Sequence, residues 1–270
     1  MTARMGLAAV AAALSVVAFP SFAQKSGGIL KIEHMDTPPS ASIHEEATVS
    51  VAVPFMAVFN NLVMFDQQVA KNSFESIVPD LAESWKWSDD GKQLSFRLRR
   101  GVKWHDGKPF TSADVVCTFD LLLGGESESK LRRNPRAAWW SNVEKATAEG
   151  DFATTLHLKE RQPSLLALLA SGYTPIYPCH VPVADMRRKP VGTGPFKTAS
   201  GFSLATNGQT SLKLVKNPNY WRKAANGDSL PYLDSIEFTT VKDASQRAAA
   251  VRKGTVDAAQ FASAGDATFI

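Results

Sequence analysis

The residues best suited to chemistry fall in a few short stretches. His105 and Asp106 are adjacent, and an imidazole oriented by a carboxylate can act as a general base. Adjacent residues in a tight turn point in different directions, though, and no serine or cysteine sits in a recognisable nucleophile elbow. A periplasmic hydrolase is therefore the weaker reading, and no catalytic residue is assigned. Gly192-Thr193-Gly194 has the glycines of a phosphate loop but lacks both the Lys-Ser/Thr pair and the GxGxxG spacing, so it reads as a framework turn. Cys117 and Cys179 are the only cysteines, too few for a metal cage without histidines at ligand spacing. Neither a metal nor a cofactor is expected.

The 270 residues are 44% hydrophobic and 21% charged, ordinary globular composition with enough apolar content for one large core or two small ones. The formal charge of +4 is spread along a chain in which acids and bases are mixed, which implies no nucleic-acid partner. Residues 1–23 carry Arg4, an apolar run from Gly6 to Phe19, the helix breaker Pro20 and the small-residue site Ser21-Phe22-Ala23. That is the pattern of a cleaved secretory signal peptide; the run is shorter than the ~20 residues a membrane-spanning helix needs. No cysteine follows it to carry a lipid. The mature chain is expected to begin near Gln24, in the periplasm. An oxidising compartment permits Cys117 and Cys179 to pair, which would add roughly 4 kcal/mol in the chain-entropy model. Two buried free thiols are the alternative.

These residues need elements to hold them. Ile29 to Met35 reads as an opening strand, and Val49 to Asp66 as a helix passing into a short strand. Asp90-Gly91 is a hairpin turn leading to the alternating strand Leu94 to Arg99, with Val102-Lys103-Trp104 as a further short strand. Thr111 caps a helix running to Leu123, with Asp114 completing a capping box and Gly124-Gly125 ending it. A strand pair, Val143 to Ala148 and Thr154 to Lys159, precedes a short buried helix from Ser164 to Ala170. Strands over Ser211 to Val215 and Ser235 to Val241 and a helix over Ala244 to Lys253 follow. Strands and helices mix without strict βαβ repetition, so the class is α/β or α+β.

Four blocks in this order carry a resemblance. They are Pro79-Asp80-Leu81-Ala82-Glu83-Ser84-Trp85, the run Phe96 to Val116 around Trp104-His105-Asp106-Gly107, Gly192-Thr193-Gly194-Pro195-Phe196, and Asn217-Pro218-Asn219-Tyr220-Trp221. Together the blocks resemble the family 5 extracellular solute-binding proteins, the peptide- and nickel-binding class of ABC importers. The resemblance implies a type II periplasmic binding protein-like α/β fold. Residues 24–60 and 187–270 would form the discontinuous larger part of lobe I, and 61–186 a small inserted α+β subdomain. Family members are roughly twice as long, so lobe II is expected to be missing. A truncated or split gene product without independent binding is the alternative.

The same resemblance implies a monomeric, non-enzymatic protein that captures a peptide or similar small solute and hands it to permease subunits in the inner membrane. Nickel complexes and sugars are other family ligands. It places the loop after the first strand, His34, Met35 and Asp36, on the cleft wall, together with the aromatic pair Trp139-Trp140. An ordinary surface loop and subdomain packing are the plainer readings of these two groups. Trp85, Trp87, Trp104 and Trp221 belong to the framework blocks and are expected in the core.

Overall fold

The structure, a computed structural model, describes residues 25–125, 130–201 and 211–267; the expected signal peptide lies outside them. In chain order the elements are β1 (Ile29–His34), α1 (Val49–Phe55), β2 (Val63–Phe65), β3 (Ile77–Pro79), β4 (Ala82–Trp87), β5 (Gln93–Leu98), α2 (Ser112–Leu123), β6 (Val143–Ala148), β7 (Ala153–Leu158), α3 (Leu165–Leu169), α4 (Val183–Met186), β8 (Phe196–Thr198), β9 (Ser211–Lys216), β10 (Ser235–Thr240), α5 (Ala244–Arg252), β11 (Ala258–Ala259) and α6 (Ala264–Ala267). The class is mixed α/β. One sheet has the order β11-β1-β10-β9-β8, a second β4-β5-β7-β6, and β2 pairs with β3.

The second sheet follows from local pattern. Leu94, Phe96 and Leu98 alternate inward along β5, as the period of a strand requires, and pack with Trp104, Phe110, Phe119 and Leu156 in one core. Helix α2 covers that core. Its capping box forms as the sequence predicts, with the Thr111 amide donating to Asp114 Oδ2 at 2.9 Å, and Gly124 ends it in the left-handed region at φ 74°. Asp114 also accepts from Trp104 Nε1 at 3.3 Å and from the Cys179 amide at 2.9 Å. Beside it, Cys117 and Cys179 form a disulfide with their Cα atoms 5.6 Å apart, tying α2 to the 175–180 loop. Val102 to Trp104 is not a strand; a single bridge pairs Lys103 with Pro109, because the tight turn between them leaves too few residues for a ladder.

The larger sheet depends on long-range pairing. β1 lies parallel to both β10 and β11, with Ile29 opposite Ser235 and His34 opposite Thr240. β9 and β8 continue it antiparallel. Its core gathers Ile43, Val51, Phe55, Phe59, Tyr177, Phe196, Leu214 and Phe238, and Leu131 and Val191 touch both cores.

Where the two sheets meet, backbone lies on backbone. A Cβ on Gly192 would sit 1.8 Å from the Val58 carbonyl oxygen, and one on Gly194 2.6 Å from that of Ala57. Neither glycine has a positive φ, so glycine is needed here for room. The Gly194 amide donates to Val58 O at 3.0 Å, and Thr193 Oγ1 donates to Asn60 Oδ1 at 3.0 Å. The Asn60 amide nitrogen donates in turn to Asp80 Oδ1 at 2.9 Å, and the Asn61 backbone amide to Asp80 Oδ2 at 2.9 Å. Asn217 closes the ring by donating from Nδ2 to Gly194 O at 3.1 Å.

Gly192→Ala forces this junction apart and is expected to cost about 3 kcal/mol or more, read as a lower urea midpoint; an unchanged midpoint would show that the close approach is not needed. Asp80 gives a pH signature. Burial pushes its carboxyl up from 3.8 to about 6, against the pull of the Asn61 and Asn60 donors. The folded chain thus holds a proton there that the unfolded chain has released, so this contribution is full below about pH 4 and lost as pH rises through about 6. His44 and His105, held by burial at about 3 and about 4, act in the opposite direction, so the comparison must be with Asp80→Asn. The unfolding free energy of the wild type minus that of the variant should fall by on the order of 2 kcal/mol across that window; a flat difference contradicts the assignment.

Candidate functional site

In open α/β sheets, ligands settle outside the carboxyl ends of parallel strands. Here that edge is formed by β1, β10 and β11, and it carries His34, Met35 and Asp36. His34 is 2% exposed. Its Nε2 lies 3.0 Å from the Ser50 carbonyl oxygen, so Nε2 is the protonated nitrogen, and Nδ1 is left buried without a hydrogen bond. Burial lowers its pKa, opposed by the Ser50 carbonyl, the Asp36 charge and the nearby Gln260 side chain. Asp36 is exposed, yet its carboxylate accepts from Ser50 Oγ at 3.1 Å and from the Thr37 amide at 2.8 Å. Ser50, on α1, therefore holds His34 and Asp36 together. Met35 is half-buried beside them.

The other side of this edge is fixed by α5. Arg247 is buried and donates to the carbonyls of Val241 (2.7 Å) and Lys242 (2.8 Å) after β10 and of Gln260 (2.8 Å) after β11. One guanidinium thus shapes both loops. Gln260 Oε1 and Glu33 Oε2 are buried and unpartnered near it. Sequence reasoning passed over Ser50, Arg247 and Gln260, because nothing local marks a helical arginine as a clamp on two loops.

The tryptophan pair stands elsewhere. On a 3₁₀ turn from Ala137 to Trp140, Trp140 is turned into the core at 1% exposure, edge-on to Phe119 with centroids 5.6 Å apart. Only Trp139 offers surface. It is half-buried, perpendicular to Tyr173 at 6.2 Å, with the Arg136 guanidinium over both rings. No contact described in the structure joins this pair to His34 or Asp36.

His105 and Asp106 part company. His105 Nε2 lies 3.0 Å from Gly194 O, and its Nδ1 accepts from the Gly192 amide at 3.2 Å. With both ring nitrogens committed to backbone, the imidazole is a strut of the junction. Asp106 instead meets His180 Nε2 at 2.6 Å. Among the described residues no group of three or more His, Cys, Asp or Glu is placed to hold a metal, and no helix is long and apolar enough to cross a membrane.

A groove of about 770 Å³ opens at the opposite, amino edge of the larger sheet, lined by Met56, Phe59, Met64, Tyr173, Tyr220 and Tyr232 among others. Its polar members are Asn60, Asn61, Gln67, Asn72, Asp80, Ser171 and Arg222. It contains none of the five residues expected on the cleft wall, although Trp139 backs its Tyr173. The lining comes from five distant stretches of chain, so no sequence pattern outlines it.

Comparison with known proteins places this architecture. The model of the bacterial extracellular solute-binding proteins, family 5 Middle, matches residues 76–270. The oligopeptide-binding protein AppA of Bacillus subtilis (strain 168) is 32% identical over 187 residues, 66% of this chain and 31% of AppA. The glutathione-binding protein GsiB of Salmonella choleraesuis (strain SC-B67) is 29% identical over 263 residues, 95% of this chain and 45% of GsiB. Both relatives are named as binding proteins. The structure of B. subtilis AppA in complex with a nonapeptide superimposes with a TM-score of 0.69 at 26% identity, covering 86% of this chain and 44% of AppA. The chain spans about a third to just under half the length of the relatives it matches. By the family match, which takes in the small sheet, the glycine junction and β8 to β11, the chain belongs to the bacterial extracellular solute-binding proteins of family 5.

Proposed function

We propose that this chain is the periplasmic, solute-capturing component of an ABC importer, taking a peptide or similar small solute and delivering it to permease subunits in the inner membrane. The observation that carries this reading is the family match, with relatives whose names give oligopeptides and glutathione as what they bind. In this reading residues 1–23 are removed on export and the mature protein is a monomer without cofactor. Residues 24–60 and 187–270 make up the larger part of one lobe, and 61–186 a smaller inserted part.

The carboxyl edge of the parallel strands is the cleft wall. Met35 and Asp36 face the solute, with His34 buried behind them and held through Nε2 by the Ser50 carbonyl. Ser50 and Arg247 hold that wall rigid before any ligand arrives, which lowers the ordering cost of binding. Trp139 adds a rigid aromatic face, with Trp140 anchoring it in the core. A second reading is that the chain does not bind by itself: it spans less than half of each relative, and capture by closure of two lobes draws on both. Binding would then require the rest of the family fold.

Calorimetric titration of residues 24–270 with dipeptides, a nonapeptide and glutathione separates the two. Saturable heat from the chain alone supports the first reading. Heat only after a family C-terminal half is added supports the second, and none under either condition sinks both. Where binding occurs, Asp36→Ala and Trp139→Ala should each weaken it about fivefold or more, the loss of a contact worth about 1 kcal/mol, while each variant still unfolds cooperatively.

A further inference from the structure

The amino-edge groove holds a cation that has no ionic partner. Arg222 is half-buried in its wall, and its Nη1 donates to Met64 Sδ at 3.2 Å, with the Tyr220 hydroxyl as its other neighbour. Both are neutral. A guanidinium presents five N–H donors and a thioether is only a weak acceptor, so these two contacts leave most of its donors unmet. Among the described residues no carboxylate forms an ion pair with Arg222. Asp80 is the one acid in the groove's lining, but it is 2% exposed and its two oxygens accept from Asn60 and Asn61. Burial and those two donors outweigh Arg222 in setting its pKa.

The rest of the space suits an apolar body. Met56, Phe59, Tyr173, Tyr220 and Tyr232 line it, and three of the rings are held from behind. Tyr173 stands perpendicular to Trp139 at 6.2 Å, Tyr220 leans on Trp221 at 5.5 Å, and Phe59 stacks on Tyr177 at 5.2 Å. Rings fixed in this way offer contact surface at low ordering cost. Other polar groups of the lining are committed to the fold: Asn61 Nδ2 donates to the carbonyls of Leu169 and Ser171, and Ser171 Oγ to that of Leu168. The volume of about 770 Å³ falls within the range of small-molecule clefts, roughly 300–1,000 Å³.

We infer that the groove binds a small amphipathic monocarboxylate, with the carboxylate on the Arg222 guanidinium and the apolar body against Tyr173, Tyr220 and Tyr232. The planar fork of a guanidinium matches a carboxylate bidentately. A cationic ligand is repelled at that point, and a neutral one leaves the charge unpaired. The inference does not depend on which edge of the sheet captures the imported solute.

Methionine methyl NMR on the full 270-residue chain tests it. Met56 and Met64 line the groove, Met35 stands at the carboxyl edge, and Met186 is buried in the core of the larger sheet. The probes are phenylpropanoate, phenylpropanol and phenylpropylamine, one apolar body with three head groups. Phenylpropanoate is expected to move the Met56 and Met64 methyls saturably while Met35 and Met186 stay in place. It should bind about tenfold more tightly than either other probe, the worth of a charge-assisted hydrogen bond. Arg222→Gln should remove that preference, and Arg222→Lys, which keeps the charge, should retain part of it. Equal affinities for the three probes in the wild type, a first shift at Met35, no saturable shift with any probe, or a preference that survives Arg222→Gln would each overturn the inference. The head-group comparison is made within the wild type, so it holds whether or not the variants fold. Binding of peptide or glutathione without these shifts would leave the proposed function standing and remove this inference alone.

Discussion

The close approach of Gly192 and Gly194 to the Ala57–Val58 backbone is the constraint on which the rest of the structure depends. Two chain segments separated by more than a hundred residues come near enough that no side chain fits between them. Contact this tight excludes water, and every polar group trapped there must find a partner. Asn60 meets that demand in three directions, with Thr193, Asp80 and the Tyr220 hydroxyl. His105 serves the glycine segment from the other side. The junction thereby joins the small-sheet core to the large-sheet core and sets the floor of the amino-edge groove.

This also explains why the four blocks that carry the family resemblance belong together. Asp80, His105, Gly192 to Gly194 and the Asn217–Tyr220 turn come from four separate stretches of chain, and read singly they suggest a turn, a general base or a phosphate loop. In space they are one hydrogen-bonded ring. A second clamp works beside it. Glu45 and Glu46 are buried, and they are met by Arg187, Arg132 and Arg133 while Arg136 donates to the carbonyls of Ile43 and Glu46. Such buried ion pairs add little net stability but fix one arrangement, since removing either partner strands a charge. They bind the 130–136 and 183–189 segments to the loop that follows His34 to Asp36.

Local features were legible in the sequence for local reasons. The inward alternation of β5, the Thr111–Asp114 capping box and the glycine end of α2 depend on residues within a few positions of one another. The parallel pairing of β1 with β10 joins residues some two hundred positions apart, and no periodicity encodes it. The same limit governs the sites. His34 and Asp36 could be placed at a strand end, but the Ser50 contacts and the Arg247 clamp come from helices whose docking is a tertiary fact. Trp139 and Trp140 are equivalent as letters; a 3₁₀ turn sends one into the core and leaves the other beside Tyr173. His105 next to Asp106 looked like chemistry because adjacency in sequence suggests contact, whereas the turn aims the two side chains at different partners.

If the glycine junction is what unites the two sheets, they should open together. Native-state hydrogen exchange at the amides of Phe96 in β5 and Phe238 in β10 measures this directly. In the wild type both should exchange with one shared opening free energy, the signature of a single cooperative unit, and in Asn60→Ala the two values should separate as the sheets come apart independently. Two distinct opening free energies already present in the wild type, unchanged by Asn60→Ala, would contradict the central place given to the junction.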